Sequence, residues 1–359
     1  MTEREAYVAF NLTEKVGFAT VSKLVLEYGS VVDAWEAFPR KISRSGKEVD
    51  YAREFALAEK FGVKIVTLAD SDYPAQLRNA PGCPLVLYVK GSLEALSKPS
   101  VAMIGTRRAT DYGLGVANRF AYDLATASWC VVSGLAVGID AASHQGALEA
   151  EGLTVGVIGS ALDKFFPEEN RELARKIVEA GGAVVSEFPF GRSPDRTTFP
   201  IRNHVVAALA KGTLAVEAPA RSGTLITAGI AAELGRTVMA VPARIGDRMS
   251  AGCLQLIRDG AIAVRDVDDI IEALGSLASA AKKSTEAKVA VNSVADAPAY
   301  SVEEAMVMLH VDEDGVSIDE LVRQTKLPVV KVNSLVMTLR VKGFVRFLPG
   351  NRVALAFQR

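Results

Sequence analysis

The sequence predicts an α/β protein built on a doubly wound parallel sheet, with a helical unit before it and a winged helix after it. Three observations lead there. From Val63 onward, short runs rich in β-branched residues recur at intervals filled by helical stretches. The runs are apolar throughout rather than alternating, as strands covered on both faces must be, and the intervals suit right-handed crossovers. At both ends the texture changes to helical spacing without such runs. The central part is therefore Rossmann-like, and the expected division is a helical domain over 1–62, the extended sheet over 63–275, a linker over 276–297 and a winged helix over 298–359.

In the first domain, "AYVAFNL", "TVSKLVLEY" and "VVDAWEAF" place apolar residues at helical spacing around the turn "VGF". The stretch "KVGFATVSKLVLEYGS" has the layout of a SAM-like or helix-hairpin-helix unit, with Ala19 where a second glycine would strengthen the pattern. A plain packing turn fits the same residues.

The strand candidates follow in order as "VKIVTL", "LVLYVKG", "VAMIG", "CVVSG", "TVGVIG", "AVVSE", "TLAVEA", "TVMAVPA" and "AIAV". Residues 276–299 are rich in Ala, Ser, Lys and Val without an amphipathic helical pattern, which reads as linker. Beyond it, "VEEAMVMLH", "IDELVRQTKL" and "VVKVNSLVMTLRVKG" are helical patterns, and "FVRFLPGNRVALAF" is two strand-like runs around Pro-Gly-Asn. From Leu321 onward Arg323, Lys326, Lys331, Arg340, Lys342, Arg346, Arg352 and Arg359 stand without an Asp or Glu. That patch suits DNA or a protein partner equally.

Composition narrows the function. With 49% hydrophobic residues, 23% charged and a net charge of −1, the chain is globular and has no global field for polyanions, so any such site is local. Cys83, Cys130 and Cys253 are far apart and unpaired in sequence, which points to a reducing cytoplasm and away from disulfides or zinc. The charged start "MTEREAY" and the lack of any run near the ~20 apolar residues of a spanning helix predict no membrane insertion.

In an open α/β sheet, ligands bind beyond the C-terminal strand ends, so the loops there are the places to search. The first, "VAMIGTRRATDYG", turns at Gly105 and presents Thr106, Arg107 and Arg108; Arg107 is the phosphate candidate, or else a surface arginine. The second sets Ser133 and Gly134 after a strand and Gly138 and Asp140 before a helix, where Asp140 is a cap or a ligand contact. Its spacing is neither the dinucleotide nor the phosphate-loop pattern, so no cofactor is expected. His144 behind it reads as structural.

The third loop, "FPFGRSPDRTTFPIRN", interleaves Arg192, Arg196 and Arg202 with Phe199. Cations around an aromatic suit unstacked bases, so single-stranded DNA or RNA fits better than duplex, unless Phe199 plugs the sheet edge. The fourth, "VEAPARSGTLITAG", passes Glu217 and enters a helix at Ser222, Gly223 and Thr224, whose free N–H groups suit an anion and whose side chains equally suit caps. There is no metalloprotease motif, no nucleophile elbow and no paired carboxylates in one loop. Binding rather than turnover follows, with no catalytic residue and no metal.

Together these stretches resemble the DNA-processing protein A family, DprA or Smf. The resemblance runs through "YPAQLRNAPGCPLVLYVKG", "GTRRATDYG", "SGLAVGIDAASHQGAL", "FPEEN", "SEFPFG", "FPIRN", "RSGTLITA", "AVPA" and "GCLQLIRDGA", in the family's order. It implies single-stranded DNA as ligand, RecA as partner and a homodimer that protects incoming DNA and helps load RecA in natural transformation. It also implies a DNA site at Arg107, Ser133, Gly134, Phe199, Arg202 and Asn203, with Arg196 where the family has a basic residue. Val137, Gln145 and His204 stand where that pattern commonly carries arginine, so weaker phosphate attraction is expected at these positions.

Two rivals remain. "EAPARSGTLITA" resembles the loop of nucleotide phosphoribohydrolases, which would need Glu217 as catalytic acid or nucleophile. Alternatively the winged helix is the main DNA reader and the sheet is its scaffold.

Overall fold

The protein is described from a computed structural model covering residues 1–39, 41–42, 46–275, 306–312, 315–341, 345–348 and 352–355. The expected linker lies outside the described residues. Contacts divide the chain into two compact units, Met1–Lys282 and Lys283–Arg359.

The first unit opens with four helices, α1 (Glu3–Leu12), α2 (Phe18–Tyr28), α3 (Val31–Ala37) and α4 (Tyr51–Phe61). Thr2 and Glu5 close a reciprocal capping box that starts α1, and Gly17 caps α2 in extended backbone with open space around it. Glycine is therefore not required by the geometry of that turn. Phe10, Trp35 and Phe38 interlock, Phe10 meeting Trp35 edge-on at 5.0 Å between centroids. Their core continues without a break into Ile65, Val86 and Tyr88 of the sheet.

All nine expected strands form one sheet: β1 (Lys64–Thr67), β2 (Val86–Gly91), β3 (Ser100–Ile104), β4 (Cys130–Ser133), β5 (Thr154–Val157), β6 (Ala183–Ser186), β7 (Gly212–Ala215), β8 (Thr237–Ala240) and β9 (Ile262–Ala263). Their order is β1-β2-β6-β5-β4-β3-β7-β8-β9. From β6 to β9 every neighbour is parallel, but β1–β2 and β2–β6 are antiparallel. The parallel sheet expected from the apolar runs is present in the seven strands from β6 to β9, and β1 and β2 add an antiparallel edge to it. Between β1 and β2 the chain has only the single-turn helix α5 (Ala75–Arg78), which cannot serve as a crossover.

Helices cover both faces. On one side α6 (Asp111–Thr126) and α7 (Ile139–Glu149) bury Phe120, Leu124, Ile139 and Ala142. Beside α7, α8 (Arg171–Glu179) covers β5 and β6; on the other side α9 (Thr198–Leu209), α10 (Gly223–Glu233) and α11 (Ala251–Arg258) bury Val205, Val206, Ala228 and Cys253. The chain runs outward from β3 through β4, β5 and β6, and α9 then returns it to β7 on the opposite flank of β3. That reversal opens a crevice beyond the C-terminal ends of β3, β4 and β7.

In the second unit, strands Val316–Ser317, Val345–Leu348 and Arg352–Leu355 form an antiparallel sheet, with helices Ile318–Thr325 and Val329–Val341. Ile318, Leu321, Val332, Val336, Leu339 and Val353 make its core. Of the expected basic patch, Arg323 pairs with Glu320 and Arg352 donates to the Gly315 carbonyl; Lys342, Arg359 and the Pro-Gly-Asn turn lie outside the described residues. No described helix is long and apolar enough to cross a membrane.

Candidate functional site

A cleft of about 430 Å³ occupies the crevice at the strand reversal. Of the residues singled out in the sequence it brings together Arg107, Gly134, Phe199, Arg202, Asn203, Ser222, Gly223 and Thr224. Ser133 and Arg196 do not line it.

Phe199 does not sit in a loop. Asp195 accepts from the backbone N–H groups of Thr197 (2.7 Å) and Thr198 (3.1 Å), and α9 starts there. Pro200 falls in the first turn, where a missing N–H leaves no helical bond unmade. Phe199 is half-buried and faces the cleft, and the Arg107 guanidinium lies 5.0 Å from its ring centroid. Arg107 and Arg108 are exposed, at the end of β3. Arg196 is exposed on the approach to α9.

One turn into the same helix, Arg202 points the other way. It is 6% exposed, and its Nη1 donates to the carbonyls of Gly134 and, at 2.7 Å, Val157, while Nε donates to Asn203 at 3.1 Å. Burial pulls its pKa down to about 10, with Asp140 opposing the shift and Arg107 adding to it. Asp140 lies in the first turn of α7, accepts from the Ala136 N–H at 3.3 Å, and has its pKa raised by burial against the pull of Arg202. Gly134 is wedged beside both: a Cβ there would lie 2.6 Å from the Asp140 carboxylate and 2.8 Å from the Arg202 guanidinium carbon. Ser133 is fully buried, its hydroxyl donating to the Met103 carbonyl at 2.6 Å. Arg202 and Ser133 thus lock the floor of the cleft, where β3, β4 and β5 end.

The far wall is the N-terminus of α10. Ser222 is its N-cap residue but makes no cap bond, and its buried hydroxyl has no hydrogen-bond partner among the described residues. Gly223 is exposed with open space where a side chain would be. Free N–H groups and the positive end of the helix dipole therefore face the cleft. Arg221, which also lines it, was missed in the sequence. The signal was present, since it directly precedes the Ser-Gly-Thr helix start.

Glu217 is 2% exposed, and its two carboxylate oxygens each accept from Thr110, one from the backbone N–H and one from the hydroxyl, both at 2.8 Å. It anchors the start of α6 and does not line the cleft. His144 is fully buried against the Thr154 hydroxyl at 2.7 Å, and burial pushes its pKa down to about 3 with Arg202 contributing. His204 meets the Pro81 carbonyl at 2.8 Å on the α5 side of α9. Helical spacing turns His204 away from the cleft that Arg202 and Asn203 line. Among the described residues no group of His, Cys, Asp and Glu is placed to hold a metal ion.

The family profile described as DNA recombination-mediator protein A matches residues 64–275, the whole sheet and its cleft. The chain belongs to this family. A second profile, the DprA winged helix domain, matches residues 292–351. Among DprA relatives, Protein Smf of Escherichia coli (strain K12) is 35% identical over 298 residues, covering 80% of this chain and 76% of its own. DNA processing protein DprA of Bacillus subtilis (strain 168) is 36% identical over 223 residues, covering 62% of this chain and 75% of its own. In fold, DprA from Streptococcus pneumoniae aligns with a TM-score of 0.62 at 32% identity, over 76% of this chain and 97% of that one. DprA from Helicobacter pylori, whose single-stranded DNA binding mode is described, aligns with a TM-score of 0.53 at 27% identity, over 59% of this chain and 96% of that one.

Proposed function

We propose that this chain binds single-stranded DNA in the cleft at the strand reversal, without covalent chemistry and without a cofactor. The observation that carries the reading is the meeting of an exposed guanidinium, a half-buried ring and a free helix N-terminus in one crevice. Arg107 and the α10 terminus with Ser222, Gly223 and Thr224 hold phosphates, and Phe199 offers its ring to a base. Arg202, Ser133, Gly134 and Asn203 support that surface from beneath, and Arg196 adds long-range attraction. The DNA binding described for the Helicobacter pylori relative supports the reading.

As a member of its family the protein acts, on this proposal, as a cytoplasmic homodimer that protects incoming strands and helps load RecA during natural transformation. Polarisation titrations of labelled oligo-dT at several salt concentrations test the DNA step. Absent binding, or binding indifferent to Phe199→Ala and Arg107→Ala, removes the cleft from the reading. Co-sedimentation of RecA with an oligonucleotide already bound by the protein tests the loading step, and unchanged RecA occupancy removes that.

A further inference from the structure

Behind Phe199 lies a second hollow, of about 160 Å³. It shares Arg107, Gly134, Ala136, Phe199 and Arg202 with the main cleft, so the two adjoin, with Arg107 and Phe199 between them and Arg202 in the common floor. The two sides differ in chemistry. Arg108, Arg221 and the α10 terminus face only the cleft, whereas Val137, Phe166, Pro167 and Glu169 face only the hollow.

Val137 is 37% exposed and Phe166 43% exposed, side by side with Phe199. Phe166 lies 6.2 Å from Phe199 between centroids and is tilted by 53°, so the two rings do not stack on each other. Glu169 adds an exposed carboxylate, which repels a phosphate but not a neutral ring. The loop bearing Phe166 is also held in place: Asn170 is buried and its side-chain amide donates to the Leu135 carbonyl at 2.9 Å, joining that loop to the one after β4. A fixed, open slot walled by Val137, Phe166 and Phe199, with Glu169 on its outer rim and Arg107 only on the side it shares with the cationic cleft, matches a nucleotide's split into neutral base and charged phosphate.

We propose that the hollow bounded by Phe166, Val137 and Phe199 is a base subsite, seating a nucleobase of a strand whose phosphates lie in the main cleft. The proposal rests on the single-strand reading of that cleft. Phe166 supplies a second stacking ring, and Val137 widens the apolar surface where a cation would have drawn the backbone instead.

The test compares oligo-dT with a strand of equal length carrying abasic sites, across a salt series, for the intact wild-type chain, Phe166→Ala and Phe166→Tyr. Phe166→Ala is expected to weaken oligo-dT binding about 5- to 160-fold, the range for losing one stacked base. The slope of affinity against salt stays unchanged, because no phosphate contact is lost. Binding of the abasic strand is unaffected, and Phe166→Tyr, which keeps the ring, binds oligo-dT like the wild type. Wild-type affinity in Phe166→Ala, an altered salt slope, an equal loss on the abasic strand, or a matching loss in Phe166→Tyr each overturns the subsite. If the wild type binds and Phe199→Ala weakens it while Phe166→Ala does not, the subsite alone falls. If the wild type does not bind, the reading of the cleft falls first.

Discussion

The Arg107 guanidinium, just beyond β3, lies 5.0 Å over the centre of the Phe199 ring in the first turn of α9. A ring positions the cation without neutralising it, so its charge stays available to a phosphate. Arg107→Ala is expected to lower the slope of log affinity against log salt by about 0.7, the value for one single-strand phosphate contact. Phe199→Ala should weaken binding at every salt concentration. Equal slopes for wild type and Arg107→Ala would show that Arg107 meets no phosphate.

Arg202 behaves differently although it sits one turn away. It satisfies the Gly134 and Val157 carbonyls from inside the fold. Arg202→Ala leaves these and Asp140 without their cation and is expected to cost about 3–5 kcal/mol in urea unfolding, against under about 0.5 kcal/mol for the exposed Arg107→Ala. Equal unfolding midpoints for the two variants would contradict the assignment of Arg202 to the floor.

This pair also marks how far the sequence reaches. The strands were legible because runs buried on both faces leave an unbroken apolar signature, and the four loops followed from strand ends alone. "FPIRN" was recognisable as a site but not as a helix start, and only the helical turn sends Phe199 outward, Arg202 inward and His204 towards Pro81. The partners that bury Arg202 come from β4 and β5, distant in sequence. The antiparallel β2–β6 pairing is hidden for the same reason, since pairing partners across more than ninety positions leave no local mark.

Acid should weaken the fold through His144. Its pKa in the folded state is about 3, against 6.5 as the reference value. The folded pKa is the lower one, so stability is full above about pH 6.5 and is lost as pH falls towards 3 because the unfolded chain takes up the proton first. By pH 5 the loss is about 2 kcal/mol from this group. Thermal melts from pH 7.5 to 5 should fall less steeply in His144→Asn than in the wild type. Parallel curves would remove His144 as the cause.

Glu217 holds the start of α6, and a Cβ on Gly113 would clash with its carboxylate. Glu217→Gln keeps the shape but weakens a charge-assisted cap, an expected loss of about 1 kcal/mol in stability. Incubation with nucleoside monophosphates should release no free base from the wild type. Base release that disappears in Glu217→Gln would instead favour a hydrolase.

The antiparallel edge of the sheet carries a consequence for biosynthesis. Phe190, just beyond β6, donates its N–H to Glu54 at 2.9 Å across a separation of 136 residues, and its ring packs against both Phe61 and Tyr88. The helices made first on the ribosome therefore lack the cover of Phe61 and the partner of Glu54 until that distant segment emerges. At about 5–20 residues per second the wait is roughly 7 to 27 seconds, during which the edge that Phe190 covers stays exposed to chaperones and proteases.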